Sequence, residues 1–191
     1  KSASVAYSRR SIPASPANLP QGLLATITET VVTNEPAQAN WYRIGVPIET
    51  RTYELTGIAK AQSALLSFAA VEAAVNAATE ISYEVTPTDN TLERRLVEHV
   101  KQRYYDGATV GGPNPSALAF GVVDALALPY ETYALAFTPG LLADAFSGRT
   151  PAIQPADITS LATSSEAGYV EESGLYWLPT GRQVFDPAKF Y

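Results

Sequence analysis

Extended segments with a two-residue period dominate the chain, and one long stretch of different character interrupts them. Residues 2–7 alternate Ser, Val and Tyr with small side chains, and residues 23–33 (LLATITETVVT) are dense in β-branched residues, whose stiff side chains suit a pleated strand. Two strands are predicted there. The connection between them, SIPASPANLPQG at 11–22, carries three prolines and a glycine and reads as a surface crossing. Extended segments follow at 41–46 and 48–55. In the second, Thr50, Thr52 and Glu54 alternate with Arg51, Tyr53 and Leu55, which places Arg51 beside Tyr53 on one amphipathic face.

The stretch at 62–78 changes period. Alanine dominates it, and Leu65, Leu66, Phe68, Ala69, Val71 and Val75 give a broad apolar side, which predicts a helix packed on the sheet. Residues 81–86 (ISYEVT) return to strand alternation, and Pro87 to Asn90 form a turn by composition. At 92–105 both periods fit. Leu92, Leu96 and Val100 are spaced by four, whereas 96 to 105 also alternate as a strand with mixed faces. A loop of three glycines and two prolines occupies 106–116, and a largely apolar stretch follows at 117–128.

Residues 130–137 (YETYALAF) read as a strand. Thr138, Pro139 and Gly140 then open a short helix through Phe146, with threonine as cap, proline in the first turn and Gly148 closing the end. A second short helix is expected within 155–164, started by Asp157. Residues 167–186 form a hairpin turning at Glu172, Ser173 and Gly174, with Tyr169, Tyr176 and Trp177 as cross-strand aromatics. The expected fold class is α+β, predominantly antiparallel β. It forms a single β-rich segment over 1–191 with one longer helix and one or two short ones.

Composition keeps this reading and removes several functions. Hydrophobic residues make up 46% and charged residues 17%, the balance of a globular chain. The net charge of -6 and the lack of basic runs beyond Arg9-Arg10 and Arg94-Arg95 argue against a nucleic-acid partner. The absence of cysteine removes disulfides, thiol nucleophiles and thiolate metal sites. Charge or proline interrupts every apolar stretch well before about 18 residues, so no membrane-spanning helix is expected. Neither a signal peptide nor a methionine is visible, and both ends read as cuts within a longer polypeptide.

Candidate chemistry is sparse. His99 is the sole histidine, and no GxSxG elbow accompanies it, so it reads as a strand histidine hydrogen-bonded at a half-buried surface. Gly107, Gly111 and Gly112 lack the lysine and the strand-to-helix context of a phosphate loop and read as turn glycines. Glu171 with Glu172 belongs to a solvated hairpin tip. Glu93 and Glu98 cannot be placed across a sugar from sequence. Asp89 beside Asn90 is too thin for a calcium loop. Ion pairs are expected between Arg51 and Glu54 or between Arg94 and Glu98. The aromatics Tyr169, Tyr176, Trp177, Phe185, Phe190 and Tyr191 read as packing, with a carbohydrate-binding or host-surface face as the alternative. No catalytic, cofactor-binding or metal-ligating residue is assigned.

Four segments, in order, carry a resemblance: KSASVAYSRR at 1–10, PIETRTYELTG at 47–57, ALPYETYALAFTPGLL at 127–142 and GYVEESGLYWLPTGRQVFDPAKFY at 168–191. RLVEHVKQRYYD at 95–106, between the second and third and just before the glycine-rich loop, carries the resemblance as well. Together they resemble the B component of bacterial insecticidal toxin complexes, in the region between the middle domains and the Rhs/YD-repeat shell. The resemblance implies that 92–105 is a long strand and that the 62–78 helix and the 106–116 loop are variable insertions. It further implies a secreted toxin, extracellular or on the bacterial surface. In such a toxin this segment would be non-catalytic wall of a shell that encloses the cytotoxic C-terminal part of the C component. The implied partners are the remainder of the B component, the C component with its cargo and, indirectly, the A component pore. This segment itself would touch neither membrane nor nucleic acid. Arg51, Tyr53, Tyr130, Tyr133, Pro139, Gly140, Tyr169, Trp177 and Gly181 are the expected structural and interface positions.

Overall fold

The computed structural model describes residues 2–7, 23–59, 65–88, 90–146, 160 and 167–185. In chain order the elements are β1 (Ser2–Tyr7), β2 (Leu23–Glu35), β3 (Arg43–Thr56), α1 (Phe68–Ala77), β4 (Thr79–Ile81), β5 (Glu93–Tyr104), β6 (Pro129–Phe137), α2 (Pro139–Phe146), β7 (Val170–Glu172) and β8 (Leu175–Arg182). The strands form one sheet in the order β1-β2-β3-β5-β6-β8-β7, with β4 added beside β5. β1 with β2, β5 with β6, β6 with β8 and β7 with β8 pair antiparallel, and β4 with β5 pairs parallel. This is the expected α+β class with a predominantly antiparallel sheet.

The chain divides into two compact units, Lys1–Glu29 with Arg51–Glu98, and Thr30–Thr50 with His99–Tyr191. In the first unit the core is aliphatic around a single tyrosine. Ala25 and Ile27 on β2, Tyr53 and Leu55 on β3, and Val71, Ala74 and Val75 on α1 are all buried, with Leu66, Leu92 and Leu96 packed against them. The two-residue spacing on each strand and the i, i+3, i+4 spacing on the helix are what bring these side chains to one layer. The alternation that put Tyr53 and Leu55 on one face therefore predicts the buried face of β3.

Helix α1 is shorter than the 62–78 expected. Ser67 caps it, its Oγ accepting from the Ala70 amide at 3.2 Å, so the helix begins only at Phe68. Leu65 and Phe68, assigned to the packed side, are 81% and 82% exposed. Residues 62–64 lie outside the described chain. The helix ends at Ala78, where the backbone turns extended and enters β4.

Two strand boundaries also move. The strand expected at 81–86 is instead β4, at 79–81, and Ser82 to Val85 close a turn through Val85 N to Ser82 O at 3.0 Å. Alternation needs a ladder to sit in, and β5 offers β4 partners only at Glu93, Arg94 and Arg95. Segments 41–46 and 48–55 are a single strand of 14 residues that begins at Arg43 and runs through Pro47. Proline removes one amide donor but holds a φ compatible with extended chain, so it interrupts the ladder without ending the strand. The 92–105 segment is a strand, as the resemblance implied.

In the second unit, β5 pairs with β6 and β6 with β8, with register shifts at Arg103/Tyr104, Thr132/Tyr133 and Leu135/Phe137. Thr138 caps α2, its Oγ1 accepting from the Leu141 amide at 3.1 Å, and Pro139 takes the first helical position. The β7–β8 hairpin turns at Ser173 and Gly174, with φ of 55° and 78°, the paired positive values that a two-residue turn requires. The connection at 11–22, the closing Gly148, Asp89, nearly all of the 155–164 helix, and Phe190 with Tyr191 lie outside the described residues.

Candidate functional site

The second unit is held by aromatic rings and charges more than by aliphatic packing. Alternation along β5 sends His99, Lys101 and Arg103 to one face. The register continues that face across the sheet: Lys101 stands opposite Tyr133 and Tyr133 opposite Pro179, while Arg103 stands opposite Glu131 and Glu131 opposite Arg182. Leu135 stands opposite Trp177, which has 0% of its surface exposed.

Trp177 is the centre of this face. The His99 ring meets it edge to face at 4.7 Å and 78°, and Lys101 Nζ lies 4.4 Å from its ring centroid. Phe120 closes over the same cation at 5.0 Å and stacks at right angles on Tyr133 at 5.1 Å, with the Arg103 guanidinium 5.3 Å from its ring. These are the distances at which a ring quadrupole attracts a cation. Carboxylates complete the set: Lys101 pairs with Glu172 on β7, and His99 is bonded to Glu49 on β3. His99 is 7% exposed and the Glu49 side chain 12%. Trp177 Nε1 has no hydrogen-bond acceptor among the described residues.

A second cluster flanks it. Tyr105 and Tyr130 meet edge to face at 4.7 Å, Tyr105 Oη donates to the Gln183 carbonyl at 2.6 Å, and Arg182 lies 4.7 Å over Tyr130 while pairing with Glu131 at 3.1 Å. Tyr133 Oη donates to Glu131. Burial, reinforced by that carboxylate, holds its acidity below that of a free tyrosine. Burial does the same for Tyr104, whose hydroxyl donates to the Pro47 carbonyl at 2.5 Å.

Several positions picked from the sequence converge here. Tyr130, Tyr133 and Trp177 are buried on adjoining strands of the second unit. Gly181 lies on β8 opposite Thr132 with open space around it. Tyr169 is separate: it packs on Phe137 at 5.4 Å, in a cluster with Leu142 of α2, Phe146 and Tyr176. Pro139 and Gly140 contribute by starting α2. Tyr53 belongs to the first unit, where the Arg94 guanidinium lies 5.0 Å over its ring, and Arg51 is half-buried on β3.

Other expectations are corrected. Glu54 pairs with Arg95 at 2.7 Å, and Arg94 pairs with Glu80 at 2.7 Å and approaches Glu29 at 4.0 Å, while Glu98 accepts from Thr52. Partners three or four apart suit a helix, and on a sheet charges meet across strands instead. Glu171 is exposed at the hairpin tip, as expected, and accepts from the Gly174 amide at 2.6 Å, whereas Glu172 is half-buried and holds Lys101. Tyr176 and Trp177 face Glu171 and Val170 across the hairpin rather than aromatic partners. Glu49, Lys101, Arg103, Phe120 and Arg182 were not singled out. The spacing of His99, Lys101 and Arg103 was the available signal for two of them.

Chemically the face is a set of cations and carboxylates bonded to one another and sealed by rings. Among the described residues, no three His, Asp or Glu side chains gather as a metal site. Comparison with protein-family models gives no match, and comparison with curated proteins gives none.

The fold is similar to that of part of the solved TcdB2-TccC3 chains. Solved structures with this likeness include the crystal structure of TcdB2-TccC3-Cdc42, at a TM-score of 0.52 and 19% identity, and that of TcdB2-TccC3 without its hypervariable C-terminal region, at 0.52 and 20%. Each match covers 94% of this chain and 8% of the solved chain. At such identity the likeness is one of fold.

Proposed function

We propose that this chain is a non-catalytic wall segment of a Tc toxin B component, part of an Rhs-like shell that encloses the cytotoxic C-terminal part of the C component. The observation that supports it most is the fold match over 94% of the chain to TcdB2-TccC3, in a sheet whose three long strands run 13, 14 and 12 residues. Long paired strands with one face sealed by rings and ion pairs suit a wall, because a wall must stay closed and need not present a reactive group. The charged groups around Trp177 are bound to one another, which favours a structural role for them over a catalytic one. The partners in this reading are the rest of the B component, the C component with its cargo and, indirectly, the A component. The setting is a secreted toxin, extracellular or on the bacterial surface. Among the described residues, no helix is long and apolar enough to cross a membrane. A sugar-binding face on the terminal aromatics gains nothing from the burial of Tyr176 and Trp177.

The test places Tyr133→Ala in the complete B component, co-expressed with its C component. Co-purification of the two and protection of the cargo from added protease should both fall, while cargo released in denaturant and refolded keeps its full activity. Intact assembly and protection, with loss of a chemical activity instead, would overturn the reading.

A further inference from the structure

His99 is buried against three different chemistries at once. Its Nε2 is bonded to Glu49 on β3, its ring edge meets Trp177 on β8, and Lys101, two residues along β5, shares the opposite demand on that indole. Charged and titratable groups stand on the strands beside it. Glu49 faces it from β3, with Arg51 two residues further on the same alternation. Lys101 lies on its own strand, and Glu172 reaches Lys101 from β7. Tyr133 and Glu131 on β6 and Arg103 on β5 form the next layer, already bonded to one another or to rings. Trp177 brings no charge. An uncompensated charge at such a site is costly, and the protonated ring of His99 is one source of compensation for the Glu49 carboxylate.

From this geometry we propose that His99 and Glu49 form a proton-operated clamp between β3 and β5, closed when the imidazole is protonated and weakened when it loses that proton, with Trp177 reporting its state. The clamp does not depend on the shell reading, since it concerns the chain's own sheet. The contribution of an imidazolium–carboxylate pair is present while the imidazole is protonated and the carboxylate ionised. It is lost as pH rises through the titration of the bound imidazole. The neutral ring can still donate one hydrogen bond to Glu49, so loosening, and not unfolding, is the expected response.

Trp41 and Trp177 are the two tryptophans of these 191 residues, so in a protein of this sequence a Trp41→Phe background leaves emission from Trp177 alone. Its emission, followed from pH 5 to 9, should change in a single sigmoidal step, because a protonated imidazole in contact quenches an indole more than a neutral one. Adding His99→Gln, which keeps a donor toward Glu49, should abolish the step. Adding Glu49→Gln should move it to lower pH, since the carboxylate that favours the protonated ring is gone. The urea midpoint of the background should exceed that of its His99→Gln version most near pH 6 and least near pH 9. A flat emission profile in the Trp41→Phe background would overturn the clamp without any second variant. So would a step that survives His99→Gln.

Discussion

Lys101 and Trp177 are bound face to cation, with Nζ 4.4 Å from the ring centroid, although neither was adjacent to the other in any sequence pattern. The ammonium also pairs with Glu172 and lies under Phe120, so a single cation joins β5, β7, β8 and the segment before β6. Replacing it by an uncharged residue of similar length removes both the ring attraction and the ion pair. Lys101→Met is expected to lower stability by about 1 to 2 kcal/mol, read from urea unfolding, with Glu172→Gln costing less. The two losses should be less than additive, because they share one partner. Full additivity would mean that the pair and the ring contact act independently.

Gly57 follows β3 in a left-handed conformation, φ +69°, and a side chain added there would collide with the Thr91 carbonyl oxygen. The atoms in the way are backbone of Thr91 and Leu92, which leaves nothing flexible to move aside. Gly57→Ala should therefore cost about 2 kcal/mol or more, from the left-handed φ and the collision together. Gly181→Ala, where nothing lies within 4 Å, should fall within about 0.5 kcal/mol of the parent. Thermal melts of the two variants side by side give the comparison.

Tyr104 titrates above its ordinary value of 10.0 because burial disfavours the phenolate. A folded value higher than the unfolded one means that the stabilisation is fully present below pH 10 and is lost as pH rises through the folded value. The urea midpoint should thus decline above pH 10, and Tyr133, raised in the same direction, adds to the decline. Tyr104→Phe should cost about 1 kcal/mol at neutral pH by leaving the Pro47 carbonyl without its phenol donor. Its disadvantage should shrink in alkali, where the parent phenol ionises.

The legible parts of this fold were those governed by neighbours in sequence. Alternation at Tyr53 and Leu55 identified the buried face of β3, Thr138 marked the start of α2, and Ser173 with Gly174 marked the hairpin turn. Helix α1 was overextended because alanine propensity continues upstream of Ser67, and only the cap hydrogen bond fixes where helical geometry begins. The charged partners were misassigned for a related reason. Arg95 reaches Glu54 and His99 reaches Glu49 across strands far apart in sequence, and no local spacing encodes which strands become neighbours. At 92–105 periodicity left helix and strand open, and the choice of strand came from the resemblance.

Pro47 lies inside β3 with no amide to donate, while its carbonyl receives the Tyr104 hydroxyl. Such a residue acts as an index mark on a ruler. Sliding β3 by one position would withdraw the acceptor from Tyr104, set the missing donor against a different neighbour, and turn Tyr53 and Leu55 out of the core in the same movement. A strand of 14 residues offers many nearly equivalent slipped pairings, each a folding trap. The proline makes those pairings unequal, so what looks like a flaw in the ladder serves to select one alignment from many.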